Sequence, residues 1–295
     1  MDTVGIVGLG VMGSNCAKKL MESGVPVAGY DPYPPAVKRA SEAGVAVCGS
    51  PAELAGKARV ILIFVPGPAD TEKVVLGEGG IASGAPEGTV VVNMSTVDPG
   101  VNIRMGEALA PKGIDFVDAP VMGSPSGVGS WAFALGGSDE ALAKIKDVLL
   151  VLSGSEEKLF HIGPLGHGNK LKLLNNMMLG AIDACAAETM ALAEHMGLSQ
   201  KTLIDVAVAA NARVLSSAYK EIGTRIAEGR YDEPTFTVDM LIKDNRLCLD
   251  MAREYGAPLI LGAAVDYVHR MVSVQGYGAK DHAVSWKAVA KNWKA

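Results

Sequence analysis

Four cysteines in 295 residues, at Cys16, Cys48, Cys185 and Cys248, form no CxxC pair and no metal-ligand spacing. That argues against a zinc site or a disulfide framework and leaves reduced, mostly buried thiols. Histidine is equally sparse: His161, His167, His195, His269 and His282 make no HxxxH pair and no His/Asp cluster along the chain, so no metal is expected. His167 reads as a loop residue. There is no basic run, and the net charge of −5 lacks the electrostatic footprint of a nucleic-acid binder. Small anions or neutral metabolites fit better as partners. Long hydrophobic runs are missing too; Val60 to Val65, the longest strongly β-branched stretch, is far short of a membrane span. A strand begins almost at the first residue, leaving no room for a signal peptide, so the expected location is cytoplasmic.

Apolar residues, at 49%, are plentiful, and 295 residues exceed what one core usually organises, so two domains are expected. The strongest local pattern is Gly8-Leu9-Gly10-Val11-Met12-Gly13, between an apolar run (Val4 to Val7) and a helix-like stretch. Gly8 permits a tight strand-to-helix turn, Gly10 lets backbone approach a pyrophosphate, and Gly13 lets the helix pack on its strand. The phosphates would meet free N–H groups at a helix N-terminus. By itself the pattern is also an ordinary glycine turn. Cys16, Ala17, Leu20 and Met21 then recur at helical spacing, Gly24 offers a cap, and Val25 to Tyr30 reads as a second strand ending at Asp31. An acid 18 residues after Gly13 suits the ribose hydroxyls of NAD and repels the 2′-phosphate of NADP. Asp31 also suits the opening of the Asp31-Pro32 turn. Arg39 leaves NADP possible but less expected.

Strand-like and helix-like segments alternate through residue 163: Val4 to Val7, Val25 to Tyr30, Val60 to Val65, Thr89 to Asn93, Asp115 to Asp118, Trp131 to Leu135 and Glu157 to Phe160. Continuous apolar strands of this kind belong in a parallel sheet covered on both faces. From Gly168 onward strand signals fade and Ala, Leu and Met recur at helical spacing. The expectation is an α/β Rossmann domain over residues 1–163 and an all-α domain over 164–295, divided at the Gly- and Pro-rich segment Ile162 to Gly168. The second domain opens with an unusually apolar helix to about His195, expected to be buried on most sides and to favour a homodimer or homotetramer. The end, Trp286 to Ala295, reads as basic and loosely held.

Lys172 and Asn176 stand four residues apart in that apolar helix, hence on one face. A buried lysine is costly unless paired or functional, and beside a nicotinamide cofactor it suits proton transfer at a carbonyl or alcohol oxygen. On spacing alone, a lysine that snorkels to solvent at the helix start is the favoured reading.

The segment Gly166-His167-Gly168-Asn169-Lys170-Leu171-Lys172-Leu173-Leu174-Asn175-Asn176 resembles the GxGxxxKxxNN motif of the β-hydroxyacid dehydrogenases, which include 3-hydroxyisobutyrate dehydrogenase and tartronate semialdehyde reductase. Three further segments are similar to that family in the same order: Gly5 to Gly13 to its cofactor signature, Asp118-Ala119-Pro120-Val121 to its DAPVSGG substrate loop, and Lys243-Asp244 to its late KD pair. The resemblance implies a 6-phosphogluconate dehydrogenase-like fold, Lys172 as general acid or base, and Asn176 at the substrate oxygen or carboxylate. It places Lys243 by the nicotinamide or substrate, with Asp244 supporting that helix start or its partner loop. Ser95-Thr96 would lie near the nicotinamide ribose and Val65-Pro66 near the cofactor; an N-cap and a plain strand end are the alternatives. Near the chain's end, Lys280 and Asp281 are either supporting groups or a solvated pair. The departure is in the substrate loop, where Met122-Gly123-Ser124 replaces Ser-Gly-Gly and the hydroxyl at 122 is lost. The substrate's acid is then held differently, by Gly123 N–H with Ser124 or Ser126, or is absent, or is replaced by a bulkier anion such as a sulfonate.

The resulting expectation is an NAD-dependent oxidoreductase interconverting a small β-hydroxyacid and its semialdehyde. The alternatives are imine reductase-like C=N reduction and a non-catalytic NAD-binding regulatory protein.

Overall fold

The computed structural model describes residues 2–213 and 215–291. Two compact units make up the chain, Met1–Lys172 and Leu173–Ala295. The first alternates β1 (Val4–Val7), α1 (Val11–Glu22), β2 (Val27–Tyr30), α2 (Pro34–Glu42), β3 (Ala46–Val47), α3 (Pro51–Ala55), β4 (Val60–Ile63), α4 (Pro68–Leu76), α5 (Ile81–Gly84), β5 (Val90–Asn93), α6 (Pro99–Leu109) and β6 (Asp115–Asp118). It continues with β7 (Val121–Met122), β8 (Ala132–Gly136), α7 (Asp139–Ser153) and β9 (Leu159–Gly163) before α8 (His167–His195) crosses into the second unit.

The sheet runs β3-β2-β1-β4-β5-β6-β8-β7, with β9 paired to β8. From β3 to β6 every pairing is parallel; β8 is antiparallel to β6 and β7. Because successive strand residues point to opposite faces, Ile6, Leu62 and Val92 pack under α1 and α7, while Val7, Ile61, Ile63 and Val91 pack under α3 to α6. Each fully buried aliphatic side chain contributes about 1.5–3 kcal/mol. The strand order reverses between β1 and β4, and an open α/β sheet leaves a ligand crevice at the carboxyl ends of such strands.

The expected Rossmann-type sheet followed by helices is present, with shifted ends. β4 stops at Ile63, and β9 starts at Leu159 because Glu156–Lys158 winds into a 3₁₀ turn capped by Ser155. Two short strands, β3 and β7, have no counterpart in the sequence pattern, since two residues carry no periodicity. His167 is the first residue of α8, not a loop residue; Gly166, at φ 93°, makes the left-handed bend before it.

The second unit consists of the remainder of α8 with α9 (Gln200–Ala209), α10 (Ser217–Glu228), α11 (Val238–Glu254), α12 (Ile260–Val272) and α13 (Ser285–Lys291). Ala186 and Met190 of α8 pack with Ile204, Ile222, Ile226, Val238 and Val272. Along α8, Leu171, Leu174, Met178 and Leu192 are 40–57% exposed, so the elements of this one chain do not by themselves bury the helix on most sides. An apolar helix is buried only where a neighbouring element covers it. No helix among the described residues is long and apolar enough to cross a membrane.

Two of the five histidines, His269 and His282, meet in space. His269 Nε2 lies 2.8 Å and His282 Nδ1 2.6 Å from the buried Asp183 carboxylate, and Ser285 Oγ 3.1 Å from it. Burial opposes the charge on Asp183, but His282 and His269 outweigh it and hold the carboxyl below its usual range. Burial likewise opposes charge on His282, and Asp183 overcomes it, raising the imidazole above its ordinary value. Three of the four thiols, Cys16, Cys48 and Cys248, are buried and Cys185 is exposed. Trp286 is held by its Nε1 donating to Tyr231 Oη at 2.8 Å; of the basic tail, residues 292–295 lie outside the described residues.

Candidate functional site

The glycine turn distinguishes two kinds of glycine. A Cβ on Gly8, at φ 95°, would lie 2.0 Å from Phe64 O, and one on Gly13 would lie 1.8 Å from Gly8 O, so packing demands both. A Cβ on Gly10 would meet nothing within 4 Å. Its bare backbone is explained by no protein neighbour, and it caps α1 without any side-chain bond to the helix's first N–H groups. This cradle fits a pyrophosphate. Leu9 is buried, Val11 is 67% exposed and Met12 is half-buried.

Asp31 follows β2. Its Oδ2 accepts from Leu9 N at 2.7 Å and its Oδ1 from Tyr33 N at 2.8 Å. It therefore both opens the turn and clasps the fingerprint. Ser95 ties the ends of two strands: Val65 N donates to Ser95 Oγ at 2.8 Å, and Ser95 N donates to Asn93 Oδ1 at 3.0 Å. The N-cap alternative for Ser95-Thr96 is excluded, since Asp98 caps α6 by accepting from Gly100 N at 2.6 Å. Pro66 is exposed and Thr96 half-buried.

The start of α8 is pinned from three places in the first unit. Asp118, at the end of β6 and fully buried, accepts from Gly166 N (2.7 Å, Oδ1) and Asn169 N (2.6 Å, Oδ2). Burial pushes its carboxyl up to about 6, against the N–H bonds of Asn169 and Gly166 that favour the charge. Asn169 Oδ1 accepts from Val97 N at 2.9 Å, joining α8 to the loop of Ser95 and Thr96. Lys172 Nζ donates to Val121 O at 2.8 Å, and the lysine is half-buried, between the buried and the snorkelling readings. The next residues are the departing loop. Met122 is half-buried, Gly123 and Ser124 are exposed, and a Cβ on Gly123 would lie 2.6 Å from Trp131 Cδ1. Trp131 Nε1 donates to Ser124 O at 2.8 Å, and the Ser124 and Ser126 hydroxyls are 3.2 Å apart. The loop is thus shaped around a buried indole.

In the second unit Asn176 Nδ2 donates to Asp244 Oδ2 at 2.6 Å, and Lys243 Nζ lies 2.8 Å from Asp244 Oδ1. Asp244 is well inside α11, so it supports these two side chains rather than a helix start. The solvated-pair reading of Lys280 and Asp281 is also corrected. Lys280 pairs with Asp232, while the fully buried Asp281 accepts from Thr235 N at 2.9 Å and Thr235 Oγ1 at 3.0 Å. Sequence reasoning missed Asp118 and Asn169 as pins; both lie inside the quoted motifs, but their partners are 48 to 72 residues away.

Residues 3–163 match the family model described as the NAD binding domain of 6-phosphogluconate dehydrogenase. Residues 166–289 match the one described as NAD-binding of NADP-dependent 3-hydroxyisobutyrate dehydrogenase. L-threonate dehydrogenase of Cupriavidus necator is 34% identical over 281 residues, covering 94% of this chain and 93% of that protein. 2-(Hydroxymethyl)glutarate dehydrogenase of Eubacterium barkeri is 31% identical over 99% of this chain and 94% of its own. The crystal structure of 3-hydroxyisobutyrate dehydrogenase from Salmonella typhimurium superposes with a TM-score of 0.88 at 28% identity, covering 97% of this chain and 99% of that one. With both halves matched and the glycine cradle intact, the chain belongs to the β-hydroxyacid dehydrogenase family of NAD(P)-dependent oxidoreductases.

Proposed function

We propose that the chain interconverts a small β-hydroxyacid and its semialdehyde, with NAD preferred over NADP and Lys172 as the proton-transfer group. The observation that carries this is Lys172 Nζ at 2.8 Å from Val121 O, which sets an amine beside the loop of Met122, Gly123 and Ser124. Bound NAD supplies, at its nicotinamide ring, the acceptor for the hydride leaving the carbinol carbon. Gly8 to Gly13 hold the pyrophosphate and Asp31 the ribose, while Val65, Pro66, Ser95, Thr96 and Lys243 line the nicotinamide end. Lys172 takes the carbinol proton in oxidation and returns it in reduction. Its bond to Val121 fixes the amine so that the proton travels a set path. Asn176 spends one Nδ2 hydrogen on Asp244 and has the other for the substrate oxygen or carboxylate. Gly123 N–H and the Ser124 hydroxyl take over from the missing hydroxyl at 122, and Met122 adds an apolar wall.

Lys172→Ala should lower kcat about 10²–10⁴-fold while NADH still binds. An NAD-linked screen of 3-hydroxyisobutyrate, glycerate, threonate and sulfonate analogues, run beside a cyclic imine, reads this out. Unchanged turnover in the variant removes Lys172 from the chemistry; imine reduction without hydroxyacid oxidation, or NADH binding with no turnover at all, overturns the proposed reaction.

A further inference from the structure

The loop of residues 122–131 lies wholly in the first unit and folds back on one side chain. Trp131 is 0% exposed, and its ring meets two phenylalanines, Phe133 edge-on at 6.3 Å and Phe64 at 6.4 Å. Such packing fixes the indole. Its Nε1 donates to Ser124 O at 2.8 Å, and Gly127 N donates to the same oxygen at 3.0 Å. Both lone pairs of that carbonyl are thus taken, one by the 3₁₀ turn Pro125–Gly127 and one by the indole. A Cβ on Gly123 would collide with Trp131 Cδ1 at 2.6 Å, so the main chain there lies directly against the ring. Gly123 and Ser124 are therefore seated on one rigid group. Ser124 and Ser126 are nonetheless exposed, with their hydroxyls 3.2 Å apart. One hydroxyl donates to the other, so the pair keeps one proton to give, and the bond within the pair strengthens that donor.

We infer that Trp131 is a positioning residue and Ser126 a substrate-binding partner of Ser124: the indole holds the loop so that the hydroxyl pair and Gly123 N–H meet the acid group of the substrate. The inference rests on the proposed role of this loop in holding that acid, and adds two residues to it. One N–H and one hydroxyl proton match the two oxygens of a carboxylate. Met122 brings no hydroxyl, so the pair further along supplies it. A loop released from the indole presents the same donors only part of the time, which weakens binding of the acid without touching the hydride or proton steps.

Kinetics with NAD and the best substrate among 3-hydroxyisobutyrate, glycerate and threonate decide the matter. Trp131→Phe keeps an aromatic ring but deletes the Nε1 donor; KM for the hydroxyacid should rise about fivefold to tenfold, with kcat and the Kd of NADH within about twofold of wild type. Ser126→Ala, on the exposed loop, should raise KM about fivefold, and Ser126→Thr, which returns a hydroxyl, should recover most of that loss. Because the indole acts through the hydroxyls it positions, the double variant Trp131→Phe/Ser126→Ala should raise KM no more than about twofold beyond Trp131→Phe alone. Should Trp131→Phe not fold, Phe64→Leu takes its place, since it loosens one side of the indole from outside the loop; KM is then expected to rise about threefold. An unmoved KM in Ser126→Ala, in Trp131→Phe or in its substitute overturns the inference alone. So do two effects that multiply in full, or a loss of kcat and NADH affinity alongside KM in Trp131→Phe. If wild type oxidises none of the three hydroxyacids while NADH binds, the proposed activity falls and this inference with it.

Discussion

Asp31, proposed for the ribose, already accepts from Leu9 N and Tyr33 N, so its carboxylate is oriented before any cofactor binds. Asp31→Ala should therefore erode NAD preference. The ratio of kcat/KM with NAD to that with NADP is expected to fall about tenfold, the weight of one charged contact; an unaltered ratio takes Asp31 out of cofactor selection. This residue was legible because its spacing from Gly13 is set by one βαβ unit. The state of Lys172 was not, because composition shows an apolar helix but not the carbonyl of Val121 that accepts from the amine.

At the scale of elements, α8 matters most, and its first turn hangs on Asp118. A buried carboxyl with a folded pKa raised to about 6 from an ordinary 3.8 favours the neutral acid. Its contribution to stability is full below the unfolded value and is lost as pH rises through about 6. The loss is of order 3 kcal/mol at most, counting about 1.4 kcal/mol per pH unit. The unfolding free energy of wild type minus that of Asp118→Asn, from urea titrations, should thus decline between about pH 4 and pH 6. A difference that rises over this window would show that the two backbone N–H bonds, not burial, govern Asp118. The periodicity of α8 was readable residue by residue. Its anchorage was not, because a single aspartate 48 residues upstream supplies both acceptors for its N-terminus.

At the scale of the whole molecule, stability against pH also reports on the buried cluster of Asp183, His269, His282 and Ser285. His282 has a raised folded pKa, so its stabilising charge is fully present below the unfolded value of about 6.5 and fades as pH climbs through the higher folded value. Asp183, lowered in the fold, adds stability above its ordinary range and loses it only in strong acid. The melting-temperature advantage of wild type over His282→Gln is expected to be largest near pH 6 and to shrink towards pH 9; an advantage that grows with pH would rule out a charged His282. Local physics made the outline readable from the sequence alone. Glycines where side chains would collide, strands apolar on both faces and helices of regular spacing determined the Rossmann-type sheet, the cofactor turn and the helical second half. Tertiary structure alone decided which carboxylates hold which partners: Asp118 to α8, Asp183 to two histidines, and Asp244 to Asn176 and Lys243. Backbone preference and periodicity act over a few neighbouring residues, whereas most of these contacts join residues that only folding brings within 3 Å or so.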